Sequence, residues 1–211
     1  MPSRMPRGLI GTLLAALLAL AAACGTGKPI HFYTLEPPAS APSSAEPVPV
    51  TLLIGRFSAP IVYRDTRLLY RSGPNQIDIY QEQRWAEAPA EMVRGMMLRQ
   101  LRGSGHYRTV HLQGTNVQGD YVLRGRVLHF EEVDVPSLSA RVGMEVDLYD
   151  PAHGATVWSH LYERDEPSAG KDVPSVVAAV NLNVQRGLGE ISASLEQYFA
   201  QHPYTPAKST P

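Results

Sequence analysis

The sequence predicts an α+β domain, an antiparallel β-sheet with two helices packed on one face, in the order βββ-α-ββββ-α. Three observations point there. In "RVGMEVDLY", Val142, Met144, Val146 and Leu148 alternate with Arg141, Gly143, Glu145, Asp147 and Tyr149, the pattern of a strand with one buried and one wet face. Farther on, Val177, Val180, Val184, Leu188, Ile191, Leu195 and Phe199 recur at spacings of three or four, the stripe of a long amphipathic helix. Two runs rich in Tyr, Ile and Leu flank Gly73-Pro74-Asn75, a hairpin signal. Because hairpins dominate, the helices are expected together on one side of the sheet.

Each element follows from local composition. "VTLLIGRF" (Val50 to Phe57) is β-branched and apolar, a strand. "RLLYRS" and "QIDIYQEQRWA" are the arms of the hairpin. In "APAEMVRGMMLRQLRGSG", Pro89 suits a first helical turn, Val93, Met97 and Leu101 recur at four-residue spacing, and Gly103-Ser104-Gly105 stops the helix. "YRTVHLQ" and "DYVLRGRVLHFEEV" read as strands, and Asp150 to Gly154 turn the alternating strand into "TVWSHLYER" as its antiparallel partner. Gly187 and Gly189 inside the second helix each cost about 1 kcal/mol relative to Ala, so close packing on the sheet is expected there.

The ends carry a different message. Arg4 and Arg7 precede an apolar run from Gly8 to Ala23, shorter than the roughly 20 residues that cross a bilayer as a helix, so residues 1–23 read as an export signal. Small residues Ala21, Ala22 and Ala23 lead into Cys24, the only cysteine of 211 residues. The stretch resembles a bacterial lipobox, with Ala21 where Leu is most frequent, and implies a mature chain that begins at a lipidated Cys24. A free thiol without a partner has little other place in an oxidising compartment. Gly25, rather than Asp, follows the cysteine and resembles an outer-membrane address.

Residues 24–49 read as a tether, because "EPPASAPSSAEPVP" (Glu36 to Pro49) has almost nothing to bury. About 25 residues would give a polyproline reach near 75 Å. Within it, "HFYTLEP" (His31 to Pro37) is a β-prone island whose Phe32, Tyr33 and Leu35 are expected to pack on the domain. One domain is expected over residues 50–201, followed by a Pro-rich, frayed tail over 202–211.

Composition narrows function. Without the first 23 residues, 188 remain, with 17 Lys+Arg against 20 Asp+Glu and a net charge of −3, so nucleic acid is not an expected partner. No zinc-binding His spacing, nucleophile elbow or phosphate loop is present among His31, His106, His111, His129, His153, His160, His202 and the serines and glycines. Glu131, Glu132 and Asp134 read as a solvated strand end before Pro136, and "GSGHY" (Gly103 to Tyr107) as a helix stop. The chain is not expected to be an enzyme, nor to hold a metal or any cofactor beyond the covalent lipid on Cys24.

Three further motifs stand in order. Tyr33-Thr34-Leu35-Glu36-Pro37 opens the chain after the cysteine, Pro60-Ile61-Val62-Tyr63-Arg64 precedes the hairpin, and Arg84-Trp85-Ala86-Glu87 enters the first helix, with Ala88 before Pro89. Together with "GDYVLRGRVLHFE" (Gly119 to Glu131) they resemble the ABC-type transport auxiliary lipoproteins, the PqiC-like family, over nearly the whole mature chain. The resemblance implies a lipoprotein in the inner leaflet of the outer membrane, facing the periplasm, that binds and positions the MCE-domain protein of an ABC lipid transporter. It also implies homo-oligomerisation. Tyr63, Arg64, Arg67, Tyr70 and Arg71 are the expected partner-binding cluster, because Tyr and Arg gather there without strand alternation. Trp85 is a further candidate anchor, or a core residue where hairpin and helix meet. Two other functions fit the chain: a lipid carrier with a groove between sheet and helices, and an accessory lipoprotein of cell-wall machinery.

Overall fold

In the computed structural model, residues 28–37 and 46–204 are described. The chain divides into two units, Met1–Ile30 and His31–Pro211, and every element named here belongs to the second. Cys24 lies outside the described residues.

The elements are β1 (His31–Tyr33), β2 (Val48–Ser58), a 3-10 turn (Ile61–Tyr63), β3 (Arg67–Gly73), β4 (Gln76–Trp85), α1 (Pro89–Gly103), β5 (Tyr107–Leu112), β6 (Tyr121–Val133), β7 (Ser139–Asp150), β8 (Ala155–Pro167) and α2 (Val173–Gln201). The fold is α+β, with one eight-stranded sheet and two helices. The sheet is mixed. Hairpins β3–β4, β6–β7 and β7–β8 are antiparallel, while β2 runs parallel to both β5 and β6, β3 parallel to β6, and β1 parallel to β4. The parallel pairs join strands far apart in sequence, which local hairpin signals do not report.

Strand β6 organises the sheet. One edge pairs with β7 along its length, from Val122 opposite Tyr149 to Val133 opposite Ser139. The other edge is shared, its first half by β2 (Leu52 opposite Tyr121) and its end by β3 (Tyr70 opposite Glu132). Helix α1 packs on β2, β5 and β6, and α2 on β7 and β8. Val93, Met97 and Leu101 of α1 and Val180, Val184, Leu188, Ile191, Leu195 and Phe199 of α2 are buried, as their spacing requires; Val177 is only half-buried and Val176 takes its place. Side chains fill the space between the layers, with Met144, Leu148, Leu188 and Ile191 fully buried, so the groove expected for a lipid carrier is packed core there.

Asn183 locks α2 to the sheet. Fully buried, it accepts from the Tyr162 hydroxyl at 2.6 Å and donates to the carbonyls of Ala140 and Arg164, both at 2.9 Å. At Gly187 the helix comes so close that an added Cβ would sit 2.5 Å from Met144 Cε and 2.7 Å from the Tyr162 ring. Gly189 faces open space, so only one of the two glycines is explained by packing.

Both ends of the domain extend past 50–201. Strand β2 begins at Val48, and β1 with buried Leu35 lies inside the segment read as tether. The Glu36 amide donates to Asn181 Oδ1 at 2.8 Å, and Gln185 Nε2 donates to the Glu36 carbonyl at 2.9 Å, fastening the segment to α2. Phe32 is exposed, on the face of β1 opposite to Tyr33, so of the three residues expected to pack on the domain it alone does not. At the other end Tyr204 donates to Asp120 Oδ1 at 2.5 Å and packs on Tyr121, so the tail is held through that residue.

Candidate functional site

The Pro60-Ile61-Val62-Tyr63-Arg64 motif forms a tight turn between β2 and β3. Pro60 starts it, and the Arg64 Nε donates back to the Ala59 carbonyl at 2.9 Å. Tyr63 points inward and is buried, while Ile61 is 81% exposed and Val62 lies beside it in solvent. Two adjacent aliphatic side chains exposed together at a structured turn make an apolar patch, which says more than a single exposed aliphatic residue would.

Beneath the turn lies a buried ionic network. Glu131 is 2% exposed and accepts from the Tyr63 hydroxyl at 2.8 Å. The Arg71 guanidinium holds it with two nitrogens, at 2.8 and 3.2 Å, and also donates to the Pro74 carbonyl. The Glu131 hydrogen bond raises the Arg71 pKa, and burial raises that of Tyr63, so both stay protonated. Such a pair holds the turn on β6, because removing either partner would leave a buried charge uncompensated. Glu132, facing the other side of β6, accepts from Tyr80, whose ring tilts on Tyr70 at 5.0 Å. The reading of Glu131 and Glu132 as a solvated strand end is therefore corrected; only Asp134 of that trio is exposed.

The expected cluster thus separates by role. Tyr63 and Arg71 belong to the support, and Tyr70 is half-buried against Tyr80. Trp85 is buried edge-on against Phe130 at 5.2 Å, so it is core and not a surface anchor. Arg64 and Arg67 remain at the surface. With Ile61, Val62, Leu69 and Ile79 they line a cleft of about 520 Å³, where Arg67 pairs with Asp65 at 2.7 Å. An apolar floor with an Arg rim suits protein docking more than chemistry. Among the described residues no group of three or more His, Cys, Asp or Glu could hold a metal ion.

Sequence reasoning missed Ile61 and Val62. The available signal was Pro60, which breaks the strand and frees the next two side chains from alternation.

The family model for the ABC-type transport auxiliary lipoprotein component matches residues 33–192. The chain belongs to this family. The match starts at Tyr33, the first residue of the Tyr-Thr-Leu-Glu-Pro motif, and includes the Ile61 turn and most of α2. Among solved structures, the protein XCC0632 of Xanthomonas campestris is 21% identical with a TM-score of 0.74, covering 83% of this chain and 100% of its own. An uncharacterized protein is 12% identical with a TM-score of 0.63, covering 80% and 99%. At these identities both show that the fold is shared. No curated protein matches the chain. This auxiliary lipoprotein has, among the described residues, no helix long and apolar enough to cross a membrane.

Proposed function

We propose that this auxiliary lipoprotein is a non-enzymatic adaptor, held in the outer membrane through a lipid on Cys24, that binds and positions the MCE-domain protein of an ABC lipid transporter in the periplasm. The observation that carries the reading is the exposed Ile61–Val62 turn rimmed by Arg64 and Arg67, braced from below by Glu131. Family membership supports a transporter as partner, and the apolar run before Cys24 followed by Gly25 supports the anchor and its membrane. Assembly of several copies belongs to the same proposal, with the outer edge of β8, unpaired among the described residues, as the available surface; light scattering of the purified chain reads the copy number.

Affinity capture from detergent-solubilised membranes with a C-terminal tag tests the adaptor. The wild type should recover an MCE protein, and Ile61→Glu and the double variant Arg64→Glu/Arg67→Glu should lose it with melting temperatures near wild type. Ile61→Glu is the cleaner variant, since Arg64 also closes the turn. Recovery of cell-wall enzymes, or equal recovery by all three proteins, would refute the interface.

A further inference from the structure

Away from the Ile61 turn, a second cleft of about 730 Å³ opens where the ends of β2 and β5 and the first part of β6 meet the start of α1. Arg56, Arg94 and Arg124 line it together with Glu91, Gln113 and Phe57. Three arginine side chains thus border one cleft that has a single carboxylate. Other arginines of the fold are paired with a carboxylate, as in Arg71–Glu131, Arg141–Asp165 and Arg67–Asp65, or donate to backbone carbonyls, as Arg84 and Arg102 do.

The three arginines are held differently. The Arg124 guanidinium lies over the Tyr149 ring of β7 at 4.2 Å and donates to Thr156 Oγ1 of β8 at 3.3 Å, which holds it at the outer side of the cleft. Arg94 uses one nitrogen on Glu91 at 3.3 Å and keeps its Nε buried with no acceptor. Arg56 is exposed and makes no hydrogen bond or ion pair among the described residues. Three arginines against the one carboxylate of Glu91 leave an excess of positive charge that favours an anion, and the guanidinium fork matches the oxygens of a phosphate. The volume lies in the range of small-molecule sites, far above the roughly 30 Å³ of a water, so a group attached to the phosphate fits as well. Phe57, buried beside the arginines, supplies an apolar wall.

We propose that this cleft binds a phosphate-bearing ligand, with Arg56, Arg94 and Arg124 as its recognition residues. The phosphate comes either from a phospholipid headgroup or from a soluble phosphate. The inference uses none of the residues of the partner-binding turn and stands or falls without it.

Equilibrium binding to the full chain in non-ionic detergent tests it with three probes: inorganic phosphate, glycerol 3-phosphate and detergent-dispersed phosphatidylglycerol. At least one probe should bind, and Arg56→Glu and Arg56→Gln should each weaken it about tenfold or more through the lost charge-assisted contacts. Arg108→Glu, an exposed arginine of β5 outside the cleft, should leave binding within about twofold, as expected for a surface charge remote from the ligand. Binding of phosphatidylglycerol alone assigns the cleft to a lipid headgroup; comparable binding of inorganic phosphate assigns it to the free ion. No binding of any probe, or equal effects of the Arg56 and Arg108 variants, overturns the proposal.

Discussion

Glu131 and Glu132 are neighbours in the chain yet face opposite sides of β6, and each carboxylate meets a different environment. Glu131 receives a cation from Arg71, whereas Glu132, 7% exposed, has only the Tyr80 hydroxyl and the nearby Asp134. Burial first, then Asp134, pushes the Glu132 pKa from 4.5 up to about 7. A carboxyl whose folded pKa lies above its unfolded one holds its proton more tightly in the native state. Its contribution to stability is complete below the ordinary value of 4.5 and is lost as pH rises toward 7. Glu132→Gln keeps an acceptor for Tyr80 and removes the titration. Thermal melts should therefore give near-equal Tm for variant and wild type at pH 5 and a higher Tm for the variant at pH 8; a lower Tm at pH 8 would mean that the charged form of Glu132 stabilises the fold. Sequence alone could not separate the two glutamates, because the cation that distinguishes them comes from a strand 60 residues away.

At the level of elements, the long helix shows what periodicity reveals and what it hides. Its apolar stripe marks the buried face of α2 from Val180 to Phe199, since one period suffices when a helix buries one continuous face. The same stripe cannot say which residue touches which strand, so Gly187 and Gly189 looked alike. They are opposites: Gly187 is pressed against Met144 and Tyr162, and Gly189 is exposed with nothing near. Gly189→Ala should stabilise the protein by up to about 1 kcal/mol through helix propensity and a less flexible unfolded chain. Gly187→Ala should destabilise it by about 1–2 kcal/mol, because the rigid Tyr162 ring cannot move as Met144 can. Denaturant melts of the two variants check both signs at once. The hairpins were legible for the same reason as the helix, being local, while the parallel pairs of β2 with β5 and β6 depend on tertiary closure and left no periodic mark. Of the residues that line the proposed docking cleft, Arg64 and Arg67 stand out in the sequence by their clustering; Ile61 and Val62 do not, because an exposed apolar pair has the composition of a buried one.

For the molecule as a whole, the docking of His31 to Pro37 changes the reach of the anchor. Read as composition, the 24–49 segment was a leash near 75 Å in polyproline form. With β1 paired to β4 and Glu36 fastened to α2, only seven residue steps separate the proposed lipidation site Cys24 from His31, a contour length of at most about 25 Å. The Pro/Ser/Ala stretch after Pro37 joins two docked segments and adds nothing to that distance. An insertion of about ten Gly/Ser residues after Gly27 should therefore move the domain away from a bilayer, and the same insertion after Ser40 should not, since long loops are tolerated at little cost. Energy transfer from a dye on the domain to an acceptor in the vesicle membrane reads the difference for the lipidated protein. A fall in transfer for the first insertion only is the expected result. Equal falls would show that His31–Pro37 comes off the sheet at the membrane, and the exposed turn at Ile61 would then meet its partner from a much larger range of heights.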